Sequence, residues 1–177
     1  SAMTIPDMVR IIEKHGLVPV PLDLDPDLAF PPAAQIASRV TPRTRAVLIA
    51  HLFGATPRLD EHIAAARAHR LLFIEDCAQA FRGWDYAGHP DADVSLFSFG
   101  TIKTASALGG ALARVRNPEL LAAMRERHAR YGVQSSATYL SRVLKYMLLK
   151  AATYRLPFRG LVGALQLAGQ DHDRVLN

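Results

Sequence analysis

The sequence predicts an α/β fold with a mostly parallel sheet. Three short apolar runs, residues 45–54, 71–76 and 94–99, end at polar or glycine-containing turns, as buried parallel strands do. An alanine-rich amphipathic segment of helical period, residues 58–70, lies between the first two runs. This order of strand, helix and strand is typical of a parallel sheet with helical crossovers.

The segments on either side of these runs extend the same pattern. Residues 7–16 have apolar side chains at helical spacing and end at a glycine, so they predict a helix. Residues 17–25, "LVPVPLDLD", predict a short extended segment, which the prolines confine to a sheet edge or a strand end. Residues 31–44 predict a helix that begins after proline and ends at Thr-Pro. Residues 109–115 predict a fourth strand after a Gly-Gly pair.

The pattern changes to helices alone after the fourth strand. Residues 118–132 run from a proline to a glycine, and residues 138–156 and 158–169 are apolar with basic interruptions. We therefore predict two parts, an α/β core over residues 1–116 and a basic helical segment over residues 117–177.

The composition indicates a soluble globular protein and excludes several other classes. Half of the 177 residues are hydrophobic and 21% are charged, which is not the composition of a disordered chain. Arginines and lysines interrupt every apolar stretch before it reaches the length of a membrane span. The beginning of the chain lacks the layout of a signal peptide, and Cys77 is the single cysteine. Both features favour the cytoplasm.

The charge is divided unevenly along the chain. Residues 1–110 contain 10 basic and 12 acidic side chains, whereas residues 111–177 contain 11 and 4, so the net charge is −2 and then +7. The interfacial pattern "YLSRVLKYMLLK" could serve contact with an anionic membrane surface or nucleic acid. The alternative, which we favour, is that these apolar faces pack on the sheet or on another domain.

Polar side chains follow three of the predicted strands, where ligands gather in parallel sheets. They are His51, Asp76 with Gln79, and Ser98 with Lys103. Each has an ordinary explanation by itself: a core histidine, a turn-forming carboxylate, a hydroxyl bonded to the backbone and a surface lysine. Together, a carboxylate, a hydroxyl and an amine at one sheet edge match the groups that bind pyridoxal phosphate (PLP). The pattern predicts no metal site.

Two stretches, "LLFIEDCAQAF" and "DADVSLFSFGTIKTASALGGALA", resemble the DegT/DnrJ/StrS-type sugar aminotransferases. The shared pattern is Glu-Asp-x-Ala-Gln, then Ser-Phe-x-x-x-Lys, then Gly-Gly, and the resemblance covers about residues 1–115. It implies the large domain of a fold-type-I PLP transferase, here without the N-terminal segment that carries a phosphate loop and without the small C-terminal domain.

The resemblance also implies a role for each site residue. Lys103 would hold PLP as a Schiff base and then move protons between the substrate Cα and C4′ of the cofactor. Asp76 would pair with the pyridine nitrogen, and Ala78 would pack on one face of the ring. Gln79 would lie near the phenolic oxygen of the ring, and Ser98 would donate to the phosphate. His51 receives no chemical role.

Lysine at position 103 favours transamination, since dehydrating relatives have histidine there. The implied reaction moves an amino group from an amino acid, commonly glutamate, to a nucleotide-linked keto-sugar. The resemblance further implies a homodimer, whose interface builds the site, and a cytoplasmic enzyme.

Two departures from the family pattern motivate a second hypothesis. Family members are roughly twice as long, and they often have an aromatic residue where this chain has Ile5 after Thr4. The chain could thus be a truncated, non-catalytic binding or regulatory module derived from the same fold.

Overall fold

A computed structural model describes residues 5–27, 30–101, 103, 105–154 and 160. The chain divides into two compact units, Ser1–Arg130 and Tyr131–Asn177. The boundary predicted from the sequence, between residues 116 and 117, stays a prediction.

The first unit contains a four-stranded, mostly parallel sheet, which confirms the predicted fold class. Its strands lie in chain order, with β1 parallel to β2, β2 parallel to β3, and β3 antiparallel to β4. All four predicted strands form. They are β1 (Ala46–Ala50), β2 (Leu72–Asp76), β3 (Val94–Ser98) and β4 (Ala111–Val115).

The described residues form five α-helices: α1 (Pro6–Lys14), α2 (Ala34–Arg39), α3 (Asp60–Ala68), α4 (Pro118–His128) and α5 (Ser136–Ala152). Each falls within a segment of predicted helical pattern or overlaps it. The Asn117 side chain caps α4 by accepting hydrogen bonds from the backbone N–H groups of Glu119 and Leu120. The helix predicted over residues 158–169 lies outside the described residues, apart from residue 160.

The extended segment predicted over residues 17–25 does not form a strand. Among its described contacts, the strand-like pairing is an isolated bridge between Asp25 and Phe30. The Gln35 side chain pairs with both backbone groups of Asp23, accepting from its N–H at 2.8 Å and donating to its carbonyl oxygen at 2.9 Å. A side-chain amide thus takes the place of a neighbouring strand, and Leu22 is buried in the main core.

The sheet has two faces, because successive side chains on a strand point in opposite directions and paired residues point the same way. We call them the α3 face and the Asp76 face. The α3 face includes Val47, Ile49, Phe73, Glu75, Ser95, Phe97 and Arg114, and the Asp76 face includes Leu48, Ile74, Asp76, Leu96, Ser98 and Ala113.

The main core lies against the α3 face at the start of the parallel strands. Ile63 and Ala66 of α3 pack in one cluster with Ile49 and Phe73 of the sheet and Ile36 of α2. Burial of aliphatic and aromatic side chains of this size stabilises the fold by about 1.5–3 kcal/mol each. This packing holds the strands in register and so sets the positions of the residues at their carboxyl ends.

The crossover from β2 to β3 differs from the one between β1 and β2. In the described residues it contains a 3₁₀ turn, Gly83–Asp85, and no α-helix. A smaller core forms here, in which Phe81 makes edge-on ring contacts with Phe97 and Phe99 at centroid distances of 5.8 and 5.0 Å. The crossover is therefore anchored beside the site-bearing ends of the strands.

The second unit is represented mainly by α5. Ser135 caps this helix, since its hydroxyl accepts from the backbone N–H of Thr138 at 3.2 Å. None of the helices in the described ranges combines the length and the apolar character needed to cross a membrane. The exposed apolar side chains of α5 are Tyr139, Leu140, Leu144, Met147, Leu148 and Leu149.

Candidate active site

Two predicted site residues end neighbouring parallel strands. Asp76 is the last residue of β2 and pairs with Leu96, which lies two residues before Ser98, the last residue of β3. Residues two apart on a strand share a face, so the carboxylate of Asp76 and the hydroxyl of Ser98 lie on the Asp76 face. Both side chains are half-buried.

Asp76 is held at the point where β2 becomes a turn. Its Oδ1 atom accepts a hydrogen bond from the N–H of Ala78 at 2.9 Å, and its main-chain carbonyl accepts from the N–H of His51 at 3.0 Å. The first bond is an Asx turn, which orients the carboxylate by local geometry. In the described part of the chain, the Oδ2 atom has no protein hydrogen-bond partner, so it can accept from a ligand.

Lys103 lies on a loop that leaves β3 and returns to β4. The backbone of Phe99 closes this loop, donating to the carbonyl of Gly110 at 3.0 Å and accepting from the N–H of Gly109 at 2.9 Å. A Cβ atom added to Gly100 would lie 3.8 Å from Cγ of Lys103 and 4.0 Å from Oγ of Ser98. The side chains of Lys103 and Ser98 therefore both border the backbone of Gly100.

Gln79 connects this region to the end of β1. Its Oε1 atom accepts a hydrogen bond from the N–H of Phe53 at 2.9 Å. Three residues later, Arg82 donates from Nη2 to the carbonyl of Gly54 at 2.9 Å. The turns that follow β1 and β2 are thus tied together.

These residues fit PLP by the chemistry of their side chains. The carboxyl edge of the sheet presents a carboxylate, a hydroxyl, an amide and an amine, and a Cβ at Gly100 would touch both the lysine and the serine side chains. The structure brings all five predicted residues, Asp76, Ala78, Gln79, Ser98 and Lys103, to this edge. Their individual roles stay predictions.

A second group of polar residues, which the sequence motifs do not predict, lies on the opposite face of the sheet. We call it the Glu75 cluster. The Glu75 carboxylate is fully buried and accepts from the hydroxyl of Tyr86 at 3.1 Å, from the thiol of Cys77 at 3.3 Å and from the N–H of His89 at 2.8 Å. Nε2 of His51 lies 3.6 Å from it. The cluster consists of Glu75, His51, Cys77, Tyr86, His89, Ser95 and Arg114.

The electrostatics of the cluster favour one protonation state. Burial raises the pKa of Glu75, but hydrogen bonds from His51, the backbone of His89, Cys77 and Ser95 outweigh burial and lower the pKa to about 2. Burial and then the charge of Glu75 raise the pKa values of the Cys77 thiol and the Tyr86 phenol. The carboxylate is thus ionised, and the thiol and phenol remain protonated donors.

The side-chain ligand atoms of His51, Glu75 and Cys77 lie within 4.8 Å of one another, which is close enough for a metal site. The same atoms are engaged with each other, with Tyr86 and with backbone groups. A metal would have to displace those bonds, so we assign the cluster a structural role. Two signals point to it in the sequence: an acidic residue directly after the apolar run "LLFI", and a histidine directly after the preceding strand.

Comparison with known proteins adds to this geometry. The model of the DegT/DnrJ/EryC1/StrS aminotransferase family matches residues 1–168. The chain belongs to this family. The resemblance seen in the motifs is thereby confirmed, and the match continues past residue 115 into the helical segment. Aminotransferases of this family depend on PLP, which is the cofactor that the candidate site has to fit.

Individual relatives match part of their length. The chain is 44% identical over 86 residues to L-glutamine:2-deoxy-scyllo-inosose aminotransferase from Micromonospora echinospora, covering 48% of this chain and 19% of the relative. It is 35% identical over 113 residues to GDP-perosamine synthase from Caulobacter vibrioides, covering 62% and 30%. The chain therefore spans less than a third of either relative.

A solved structure shows the same fold. DesI, crystallised with its TDP-sugar product, superposes with a TM-score of 0.63 at 32% identity, covering 70% of this chain and 32% of DesI. This similarity confirms a fold-type-I core.

Proposed function

We propose that the protein to which this chain belongs transfers an amino group from an amino acid, commonly glutamate, to the keto carbon of a nucleotide-linked sugar. The observation that carries the proposal is the shared position of Asp76, Ser98 and Lys103 at one edge of the sheet. The alignment of Asp76 and Ser98 on one face supports a common ligand, because residues on opposite faces could not grip one ring.

Each residue has a distinct task in this proposal. Bound PLP supplies an aldehyde that captures amines and a pyridinium ring that accepts an electron pair. The Oδ2 atom of Asp76 would hold the proton on the ring nitrogen, and the hydroxyl of Ser98 would donate to the phosphate. The Nζ atom of Lys103 would hold the aldehyde carbon and, once released, move a proton from the substrate Cα to C4′. Ala78 would leave room for the ring.

The relatives favour more than one acceptor and donor. DesI was crystallised with a TDP-sugar and another relative is named for a GDP-linked sugar, which supports a nucleotide sugar as the acceptor. The inosose aminotransferase is named for a cyclic ketone without a nucleotide and for L-glutamine as donor. Assays with glutamate and with glutamine as donor, each with a nucleotide-linked keto-sugar and with an inosose as acceptor, identify which donor and which acceptor react.

Cofactor capture is tested on the 177-residue chain. The chain contains four lysines, Lys14, Lys103, Lys145 and Lys150, so reduction with borohydride after incubation with PLP, followed by peptide mass mapping, identifies the one that reacts. We expect the added mass at Lys103 and its loss in Lys103→Ala. Lys14→Ala and Lys145→Ala, which change exposed lysines, should behave as the parent chain does. Labelling that persists in Lys103→Ala would contradict the assignment.

The same chain tests the second hypothesis, a non-catalytic module. Capture of PLP without turnover of any of the four donor–acceptor pairs would favour a binding module. Measurable transamination by the purified chain would rule that hypothesis out.

We also propose a homodimer and a cytoplasmic location, which sedimentation and cell fractionation can check.

A further inference from the structure

The turn that follows β1 has an unusual backbone for its sequence. Phe53 lies in the left-handed region, at φ 55° and ψ 26°, and Gly54 follows at φ 79°. Glycine adopts this conformation at little cost, whereas phenylalanine rarely does. The Phe53 side chain is 82% exposed, so packing of its ring does not hold the turn in place.

Hydrogen bonds from neighbouring residues hold the turn instead. The N–H of Phe53 donates to Oε1 of Gln79, and Arg82 donates to the carbonyl of Gly54. Nδ1 of His51 donates to the carbonyl of Ala55 at 3.1 Å. The strained backbone is thus kept by contacts to both strand-end turns, a combination that is typical of functional sites.

The bond from Phe53 also determines how the Gln79 amide is oriented. A backbone N–H can only donate, so it selects the oxygen of the amide and leaves the NH₂ group directed elsewhere. A carboxamide without this partner could rotate by half a turn and exchange oxygen for nitrogen. The left-handed turn therefore decides which end of Gln79 is available to a ligand.

We propose that the left-handed turn at Phe53 is a positioning element that locks the Gln79 amide, so that its NH₂ group donates to the phenolic oxygen of PLP. The inference rests on the proposed function and on the family resemblance, which implies that Gln79 lies near that oxygen. Phe53 acts through its backbone and is a positioning residue. Its conformation prevents the amide oxygen from facing the negatively charged phenolic oxygen.

Substitutions at Phe53 separate backbone from side chain. Phe53→Gly keeps the N–H and tolerates the left-handed conformation, whereas Phe53→Val keeps the N–H but disfavours that conformation strongly because it is β-branched. The readout is the pH midpoint of the visible absorbance band of the PLP-loaded chain. A donor to the phenolic oxygen stabilises its anion and lowers the midpoint, so loss of the donor raises it.

We expect Gln79→Ala and Phe53→Val each to raise the midpoint by about half a pH unit or more, and Phe53→Gly to leave it unchanged. The double variant Phe53→Val with Gln79→Ala should equal Gln79→Ala alone, because both changes remove one interaction. Gln79→Glu should raise the midpoint as well, since its carboxylate accepts from Phe53 but has no NH₂ to donate.

Hydrogen exchange at the Phe53 amide tests the lock without cofactor. Protection of the Phe53 amide should fall in Gln79→Ala and persist in Gln79→Glu. If packing of the Phe53 side chain held the turn, protection would be unchanged in both variants. A parent chain that forms no PLP band overturns the assignment of these residues as a cofactor site, and this inference with it. A normal band with an unshifted midpoint in Phe53→Val overturns this inference alone.

Discussion

Glu75 and Asp76 are neighbouring carboxylates on one strand, yet they lie on opposite faces of the sheet and in different surroundings. Glu75 is fully buried on the α3 face and accepts hydrogen bonds from Tyr86, Cys77 and the backbone of His89. Asp76 is half-buried on the Asp76 face, and its carboxylate accepts from the N–H of Ala78. The difference shows how one strand can serve stability with one residue and ligand binding with the next.

The physical reason is the number of bonds that each carboxylate has already made. A buried anion is tolerated only when its oxygens are fully engaged, and such an anion has nothing left for a substrate. A carboxylate with a free oxygen near solvent can accept a bond from a ligand at little cost to folding. Changes on the α3 face should therefore alter stability, and changes on the Asp76 face should alter cofactor binding.

The largest effect is expected for Glu75→Ala. Removing the carboxylate leaves the donors of Tyr86, Cys77 and the His89 backbone buried without their acceptor, so the free energy of unfolding should fall by about 4 kcal/mol. Urea denaturation measures the loss. A loss below about 1 kcal/mol would mean that the Glu75 cluster does not stabilise the fold.

Acid should weaken the same cluster in the parent chain. The pKa of Glu75 is lowered from its ordinary value to about 2, so its contribution is complete above pH 4.5 and is lost as the pH falls towards 2. The loss over that range amounts to roughly 3 kcal/mol for this group. Between pH 5 and pH 2, the free energy of unfolding should fall more steeply with decreasing pH for the parent chain than for Glu75→Gln. Equal slopes would contradict the lowered pKa of Glu75.

Gly88 should be nearly as sensitive, because it packs directly on the Glu75 cluster. A Cβ atom there would lie 2.2 Å from Oγ of Ser95 and 2.7 Å from Oε1 of Glu75, at φ +87°. We expect Gly88→Ala to cost roughly 3 kcal/mol. Gly16 has φ +72° with nothing within 4 Å of the added atom, so Gly16→Ala should cost about 1 kcal/mol from strain alone. Equal costs would show that steric contact with the cluster is unimportant.

Asp76→Asn should change stability least and ligand binding most. Asparagine keeps an oxygen for the N–H of Ala78, so the free energy of unfolding should stay within about 0.5 kcal/mol of the parent. It loses the charge that would hold the protonated ring nitrogen, so PLP should bind about tenfold more weakly, which corresponds to 1.4 kcal/mol. Absorbance titration with PLP measures the affinity. Unchanged affinity together with lost stability would reverse the roles of the two carboxylates.

Local patterns were sufficient to predict most of the elements. The apolar runs gave four strands at the expected positions, since a buried strand needs a continuous apolar stretch. The pairing of the segment 17–25 could not be predicted in this way, because the backbone of Asp23 pairs with the Gln35 side chain and not with a strand. Periodicity describes backbone conformation and contains no information about a partner twelve residues away.

The sequence by itself determined the sheet, the residues at its carboxyl edge and the family, because short-range apolar pattern and motif spacing encode them. Only the tertiary structure decided that Glu75 is enclosed while Asp76 is open, and that the turn at Phe53 holds Gln79. Those facts depend on strand register and on hydrogen bonds between segments far apart in the chain. A shift of the β2 register by one residue would move Glu75 and Asp76 to each other's face of the sheet, although the sequence of the strand would be unchanged.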